Sequence, residues 1–255
     1  MEFRPCIDIH NGVVKQIVGS SLKDEGNKAA ENFIAEESAA FFSGIYKEKN
    51  LTGGHVIILN SADSEYYEAS KKAAFEALNA FRGGMQAGGG INAENAREFL
   101  DAGASHVIVT SYVFKDGRLN YDNLNRLTAA VGKERVVLDL SCRIRDGNYY
   151  VVTDRWQKFT EMVVNAALFE ELSGYCDEFL VHAVDVEGKS GGIDKNLIEI
   201  LSDVQYTVTY AGGVRDLSDI EKVKAYGRSR INVTVGSALK LFGGKLELDD
   251  IAKLC

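Results

Sequence analysis

Eight short apolar runs, most of them rich in Val and Ile, alternate with stretches of helical spacing along this chain. The runs are Pro5–Gln16, His55–Asn60, Met85–Ile91, His106–Ser111, Arg135–Ser141, Glu178–Asp185, Thr207–Val214 and Ile231–Ser237. The helical spacing between them is clearest at Asn95–Ala102 and Leu217–Tyr226. Strands that alternate with helices pair in parallel, because a parallel crossover takes roughly a dozen residues or more. Eight such units in 255 residues match the size of a closed barrel. The expected fold class is α/β, a single (βα)₈ (TIM) barrel over residues 1–255. An open doubly wound sheet is the rival, but no Gly-x-Gly-x-x-Gly opens the first βα unit.

A closed barrel also explains why the runs are not uniformly apolar. In the fifth, Val136, Leu138 and Leu140 suit the helix face, and Val137, Asp139 and Ser141 suit the interior. In the first, Ile7 and Ile9 face the helices, and Cys6, Asp8 and His10 face inward. The chain then repeats itself. Ala87-Gly88-Gly89-Gly90-Ile91 is echoed by Tyr210-Ala211-Gly212-Gly213-Val214. Val107-Ile108-Val109-Thr110-Ser111 is echoed by Val233-Thr234-Val235-Gly236-Ser237. Asp8 closes the first strand and Asp139 the fifth. The echoes keep their order, so the barrel is read as two half-barrels, about 1–131 and 132–255. Two long segments after the first and fifth strands, Val18–Asn32 and Arg143–Lys158, are expected to be loops over the barrel mouth. The second carries Asp146-Gly147, a hairpin turn signal.

Glycine lets an anion approach the backbone and frees N–H groups to point at it. One Gly-Gly pair at a strand end reads equally well as a tight turn. Two pairs at matching ends, Gly89-Gly90 and Gly212-Gly213, each partnered by a Ser-tipped strand, read as two phosphate cradles. Ser111 completes the first, with Thr110 beside it; Gly236 and Ser237 complete the second. The loops after strands seven and eight are the usual phosphate site of this fold. The repeat places another across the mouth, which implies a long substrate with two phosphates. Asp8 and Asp139 lie between the cradles. Inward carboxylates are costly unless used or paired, and two in different surroundings can serve as acid and base. The alternative is a plain ion pair, Asp8 with Lys15 or Asp139 with Arg143.

The bulk numbers exclude several classes. A formal net charge of −8 is a poor footprint for nucleic-acid binding. The four cysteines form no Cys-x-x-Cys and the four histidines no His-Glu-x-x-His, so neither a metal nor a disulfide scaffold is signalled. No apolar run of about 18 residues suggests a membrane span, and the start lacks a signal-peptide pattern. A cytoplasmic enzyme with reduced thiols is expected.

Six stretches taken together carry a family resemblance. They are Cys6-Ile7-Asp8-Ile9-His10-Asn11-Gly12, Gly88-Gly89-Gly90, Leu138-Asp139-Leu140-Ser141-Cys142-Arg143, His182-Ala183-Val184-Asp185-Val186-Glu187-Gly188, Ala211-Gly212-Gly213 and Val235-Gly236-Ser237. The set resembles the phosphoribosylformimino-aminoimidazole-carboxamide ribotide isomerases of histidine biosynthesis, most of all their fungal and plant branch. The resemblance implies a cofactor-free Amadori rearrangement by a monomeric enzyme. It puts the base on Asp8 and the acid on Asp139, stacks Trp156 on the substrate's imidazole-carboxamide, and leaves Arg143 and His182 as substrate contacts. It is incomplete at Ala183, where many bacterial members carry threonine; either another group, Ser190 or a water, takes that role, or the threonine is dispensable in this branch. The sister cyclase barrel shares the cradles and the aspartates, but typically has Thr-Ser at His182-Ala183 and Asn-Thr at Thr110-Ser111. Phosphoribosylanthranilate isomerase does the same chemistry with a first-strand cysteine as base, and Cys6 lies two residues from Asp8. A non-catalytic phosphosugar-binding barrel would keep the glycines and lose the carboxylates.

Overall fold

The computed structural model describes residues 1–17, 31–154, 156–187 and 191–255. Eight parallel strands form the central sheet: β1 Cys6–His10, β2 Gly54–Ile58, β3 Met85–Gly88, β4 Val107–Val109, β5 Val136–Asp139, β6 Glu178–His182, β7 Thr207–Ala211 and β8 Asn232–Val233. Eight helices alternate with them: α1 Ala39–Glu48, α2 Tyr67–Ala80, α3 Ala96–Asp101, α4 Tyr121–Val131, α5 Ala166–Leu172, α6 Lys195–Ser202, α7 Leu217–Tyr226 and α8 Leu248–Leu254. The strands pair in chain order from β1 to β8. The residues just before β1 close the ring on β8. Phe3 bridges Val233, Arg4 N donates to Val233 O at 2.9 Å, and Val233 N donates to Glu2 O at 3.0 Å. Closure leaves no barrel strand with a bare edge.

The pattern of inward and outward residues is the expected one. Ile7, Ile9, Val136, Leu138 and Leu140 belong to the core packed against the helices. A separate interior cluster joins Ile108, Val137, Leu180 and Ala211, with Ile57 against it. Helix α7 has the expected bounds, and Asp216 caps it by accepting from Asp219 N at 3.2 Å. Asn92 closes the turn leading into α3, accepting from Glu94 N at 2.9 Å and Asn95 N at 3.1 Å.

Two readings of the sequence need correction. Pro5–Gln16 is not one strand: β1 turns back into an antiparallel strand, Val13–Ile17. Asn11 and Gly12 make the turn with φ of 54° and 80°, the left-handed pair that a two-residue hairpin needs. Val13–Ile17 pairs in turn with Glu31–Ile34. Of the expected first loop, residues 18–30 lie outside the described residues. The segment after β5 is more ordered than a loop. It is a three-stranded antiparallel sheet, Cys142–Arg145, Asn148–Thr153 and Lys158–Val163. Asp146 and Gly147, with φ of 51° and 78°, form the anticipated hairpin. The Arg145 guanidinium lies 4.3 Å from the Tyr150 ring centroid and 4.6 Å from that of Phe159. Cation–π contact of this kind stiffens the flap.

Along β6 the inward residues Glu178, Leu180 and His182 run from one end of the barrel to the other. Glu178 anchors a buried polar layer at the N-terminal end. It pairs with Arg4 and accepts from Gln86 Nε2 at 3.0 Å and Thr209 Oγ1 at 2.6 Å. His182 stands at the C-terminal end. No helix among the described residues is long and apolar enough to cross a membrane.

Removing Glu178 takes from Arg4, 11% exposed, its buried charge partner and leaves only the exposed Glu2. Glu178→Ala is therefore expected to cost about 3–5 kcal/mol of stability. Urea unfolding measures it as a lower midpoint at unchanged slope.

Candidate active site

Both glycine pairs are in conformations that other residues resist. Gly89 and Gly90 have φ of 101° and 69°, and Gly212 and Gly213 have 125° and 74°. A Cβ on Gly89 would lie 2.1 Å from Ile58 O, and one on Gly213 would lie 2.2 Å from Gly192 O. The backbone turns sharply at both strand ends and no side chain fits. The halves of the sequence thus repeat in geometry as well as in letters.

Each cradle borders a cavity. The larger, about 360 Å³, is lined by Gly89, Gly90, Thr110, Ser111, Trp156 and Asp139 among others. The smaller, about 40 Å³, is lined by Gly212, Gly213, Gly236, Ser237, Gln16 and Thr234 among others. Asp8, His182 and Glu187 line both. The two cradles therefore meet at Asp8 and His182. Buried polar atoms for which no close hydrogen bond is found among the described residues border both cavities: Tyr112 Oη the larger, and Gln16 Nε2 and Thr234 Oγ1, both beside the Cys6 thiol, the smaller. Buried donors of this kind are costly unless a ligand or water uses them.

The two aspartates sit in different surroundings. Burial, and then the Glu187 carboxylate, push the Asp8 carboxyl up to about 7, against the pull of His182. Burial pushes Asp139 the same way, but the facing His182 and the hydroxyl and N–H of Ser141 outweigh it and hold Asp139 below the usual carboxylate range. Asp139 Oδ1 accepts from Ser141 N at 2.8 Å and Ser141 Oγ at 2.6 Å, and Oδ2 accepts from Thr110 Oγ1 at 3.1 Å. Thr110 thus both lines the larger cavity and bonds Asp139. For His182, burial acts downward, but Asp139, then Glu187 and Asp8, carry it up to about 9. Two carboxyls pushed apart in this way suit acid–base work.

Trp156 projects into the mouth with a φ of 66°, a left-handed backbone unusual for a bulky residue. Its ring centroid lies 5.7 Å from that of His182. Arg143 reaches neither Asp139 nor a cradle. Its Nε donates to Asp185 Oδ1 at 2.9 Å, tying the flap after β5 to the loop after β6. The ion pair considered for Asp139 is therefore made by Asp185 instead. Among the described residues the hydroxyls on Asp139 belong to Ser141 and Thr110; Ser190 lies outside the described residues. Among the described residues no three His, Cys, Asp or Glu side chains are grouped to hold a metal ion.

Sequence reasoning passed over Ser141, Glu187, Tyr112, Gln16 and Thr234 as site residues. Ser141 was findable, being two residues beyond Asp139 on the same inward face. Glu187 lies inside a motif already singled out. Gln16 comes from the unforeseen hairpin, and nothing in its own letters marks it.

Known proteins match the chain nearly end to end. It is 50% identical over 256 residues to the chloroplastic phosphoribosyl-(phosphoribosylamino)methylideneamino-imidazole-carboxamide isomerase of Medicago truncatula, covering 98% of this chain and 80% of that protein. It is 44% identical to the isomerase of the same name from Neurospora crassa, covering 95% of this chain and 93% of that one. For the Saccharomyces cerevisiae isomerase the figures are 40%, 96% and 94%. With residues 2–247 matching its pattern, the chain belongs to the histidine biosynthesis protein family.

Proposed function

We propose that the chain is the aldose–ketose isomerase of histidine biosynthesis, acting on the N-linked phosphoribosyl aminoaldose bisphosphate. The observation that carries this is the pair of glycine cradles meeting at Asp8 and His182. A substrate with a phosphate at each end fits such a bipartite site, with its reacting ribose over the carboxylates. Gly89, Gly90, Thr110 and Ser111 take one phosphate; Gly212, Gly213, Gly236 and Ser237 take the other. Trp156 stacks on the imidazole-carboxamide, and Arg143 holds the flap that carries it.

The reaction is an Amadori rearrangement. The acid half of the site protonates the ribose ring oxygen, and the ring opens to a Schiff base. Asp8 removes the C2 proton, and the enolamine collapses to the ketose. A base whose carboxyl is poised at about 7 matches that task. Asp139 stands on the acid side. The chemistry needs no redox cofactor or metal. The whole of 1–255 is read as one catalytic domain, monomeric and cytoplasmic, although one relative is chloroplastic by name. The sister cyclase and the non-catalytic barrel are less favoured, because the relatives described above are named as isomerases and both carboxylates are present.

The test is turnover of the aminoaldose bisphosphate, coupled to a known cyclase. Asp8→Asn and Asp139→Asn are each expected to lower kcat by roughly 10²–10⁴-fold while binding persists. Variants that turn over like the unmodified enzyme would defeat the reading. Asp8 must be ionised to act as base, so kcat/KM is expected to rise with pH through about 7. Tyr112→Phe removes no hydrogen bond found among the described residues, and Thr234→Val removes only a weak contact with the Cys6 thiol. Each is expected to raise KM about tenfold, at unchanged melting temperature.

A further inference from the structure

We infer that His182 is the proton donor to the substrate's ring oxygen, with Ser141 and Asp139 as the residues that orient it and hold its charge. This rests on the isomerase reading and names the acid of that same site. His182 ends β6 and lines both cavities. Its Nδ1 lies 3.2 Å from Ser141 Oγ and 3.7 Å from Asp139 Oδ1. Ser141 Oγ gives its own hydrogen to Asp139 Oδ1 at 2.6 Å. Its lone pair is then free to accept from Nδ1–H, so the serine bridges the ring to the carboxylate. With Nδ1 engaged, Nε2 is the nitrogen left for a ligand in the cavities that the ring borders; among the described residues nothing bonds it.

Asp139 is poorly placed to give up a proton itself. It already accepts from Ser141 N, Ser141 Oγ and Thr110 Oγ1, and donors of that number stabilise a carboxylate in its ionised form. The groups facing His182 agree. Asp139 on β5, Glu187 after β6 and Asp8 on β1 all favour its charged form, and together they overcome burial. His55 on β2, with its ring centroid 6.2 Å away, is pushed down to about 3 by burial and carries no charge at neutral pH. The proton on this side of the site therefore rests on the imidazole.

The step balances without a further reactant. Nε2–H breaks and an O–H bond forms on the ring oxygen. The C1–O bond breaks toward oxygen as the nitrogen lone pair closes the C1=N bond. The imidazolium is left neutral and the Schiff base carries the positive charge. Asp8 then takes the C2 proton, giving the enolamine, and returns it to C1. The enolamine's hydroxyl proton restores the imidazolium as the ketone forms.

The experiment is kcat against pH from 6 to 10, on the full chain, for the unmodified enzyme, His182→Gln, Ser141→Ala and Ser141→Thr. A donor must be protonated, so the unmodified rate is expected to fall as pH passes about 9. His182→Gln is expected to lose roughly 10²–10⁴-fold in kcat and the alkaline fall with it, with KM changed by much less. Ser141→Ala is expected to move the alkaline fall to lower pH, and Ser141→Thr to restore it. A His182→Gln enzyme that keeps kcat within about threefold, or keeps the alkaline fall, overturns the inference. If His182→Gln does not fold, an alkaline fall unmoved by Ser141→Ala overturns it equally. An unmodified enzyme without turnover would instead defeat the isomerase reading beneath it.

Discussion

Closing the sheet on itself brings the ends of β1, β5 and β6 into one confined space, and the acid–base chemistry depends on that closure. Asp8, Asp139 and His182 could not share an interior if the sheet stayed open. The bonds that shut the ring are backbone bonds between residues 2–4 and Val233, backed by the Arg4–Glu178 pair on the barrel floor. Above that floor lies the small apolar cluster of Ile108, Val137, Leu180 and Ala211. It separates the structural charges below from the working charges above. In low dielectric each charge is felt strongly by its neighbours, so small differences in environment become large differences in proton affinity. Burial, and then a neighbouring carboxylate, drive Asp8 up; burial acts on Asp139 the same way, but the imidazole and the hydroxyl and N–H of Ser141 hold it down.

The half-barrel repeat supplies the second requirement, which is reach. A single phosphate cradle would fix one end of a ligand and leave the reacting carbon free to swing. On the proposed reading two cradles from equivalent strands fix both ends, and the carboxylates come from the strands midway between them. Orientation of this kind can supply a large share of a rate enhancement. It also explains the glycine conformations. Left-handed glycines backed by carbonyl oxygens at 2.1 and 2.2 Å from any added Cβ admit no other residue.

Much of this was legible in the letters because it depends on local pattern. Alternation in Val136–Ser141 showed which side faced inward, and the Asp146-Gly147 signal located a real hairpin. The doubled Gly-Gly endings located both left-handed turns that border the cavities. What escaped was long-range or hidden in context. The Asn11-Gly12 turn sat inside a run apolar on both sides, so the run read as one strand and Gln16 was never considered. The partner of Arg143 could not be read, because Asp185 lies on a different strand-end loop and only the fold brings the two within 2.9 Å. The opposed proton affinities of Asp8 and Asp139 were out of reach for the same reason. They depend on Glu187 and His182, which are distant from both in sequence.

On the proposed reading the two cradles are two phosphate sites spanned by one substrate. Calorimetric titration with inorganic phosphate, followed by a bisphosphate product analogue, tests it most directly. Two phosphates bound per chain, both displaced by one bisphosphate molecule, is the predicted result. A single phosphate per chain, or a bisphosphate that binds without displacing phosphate from both cradles, would contradict it.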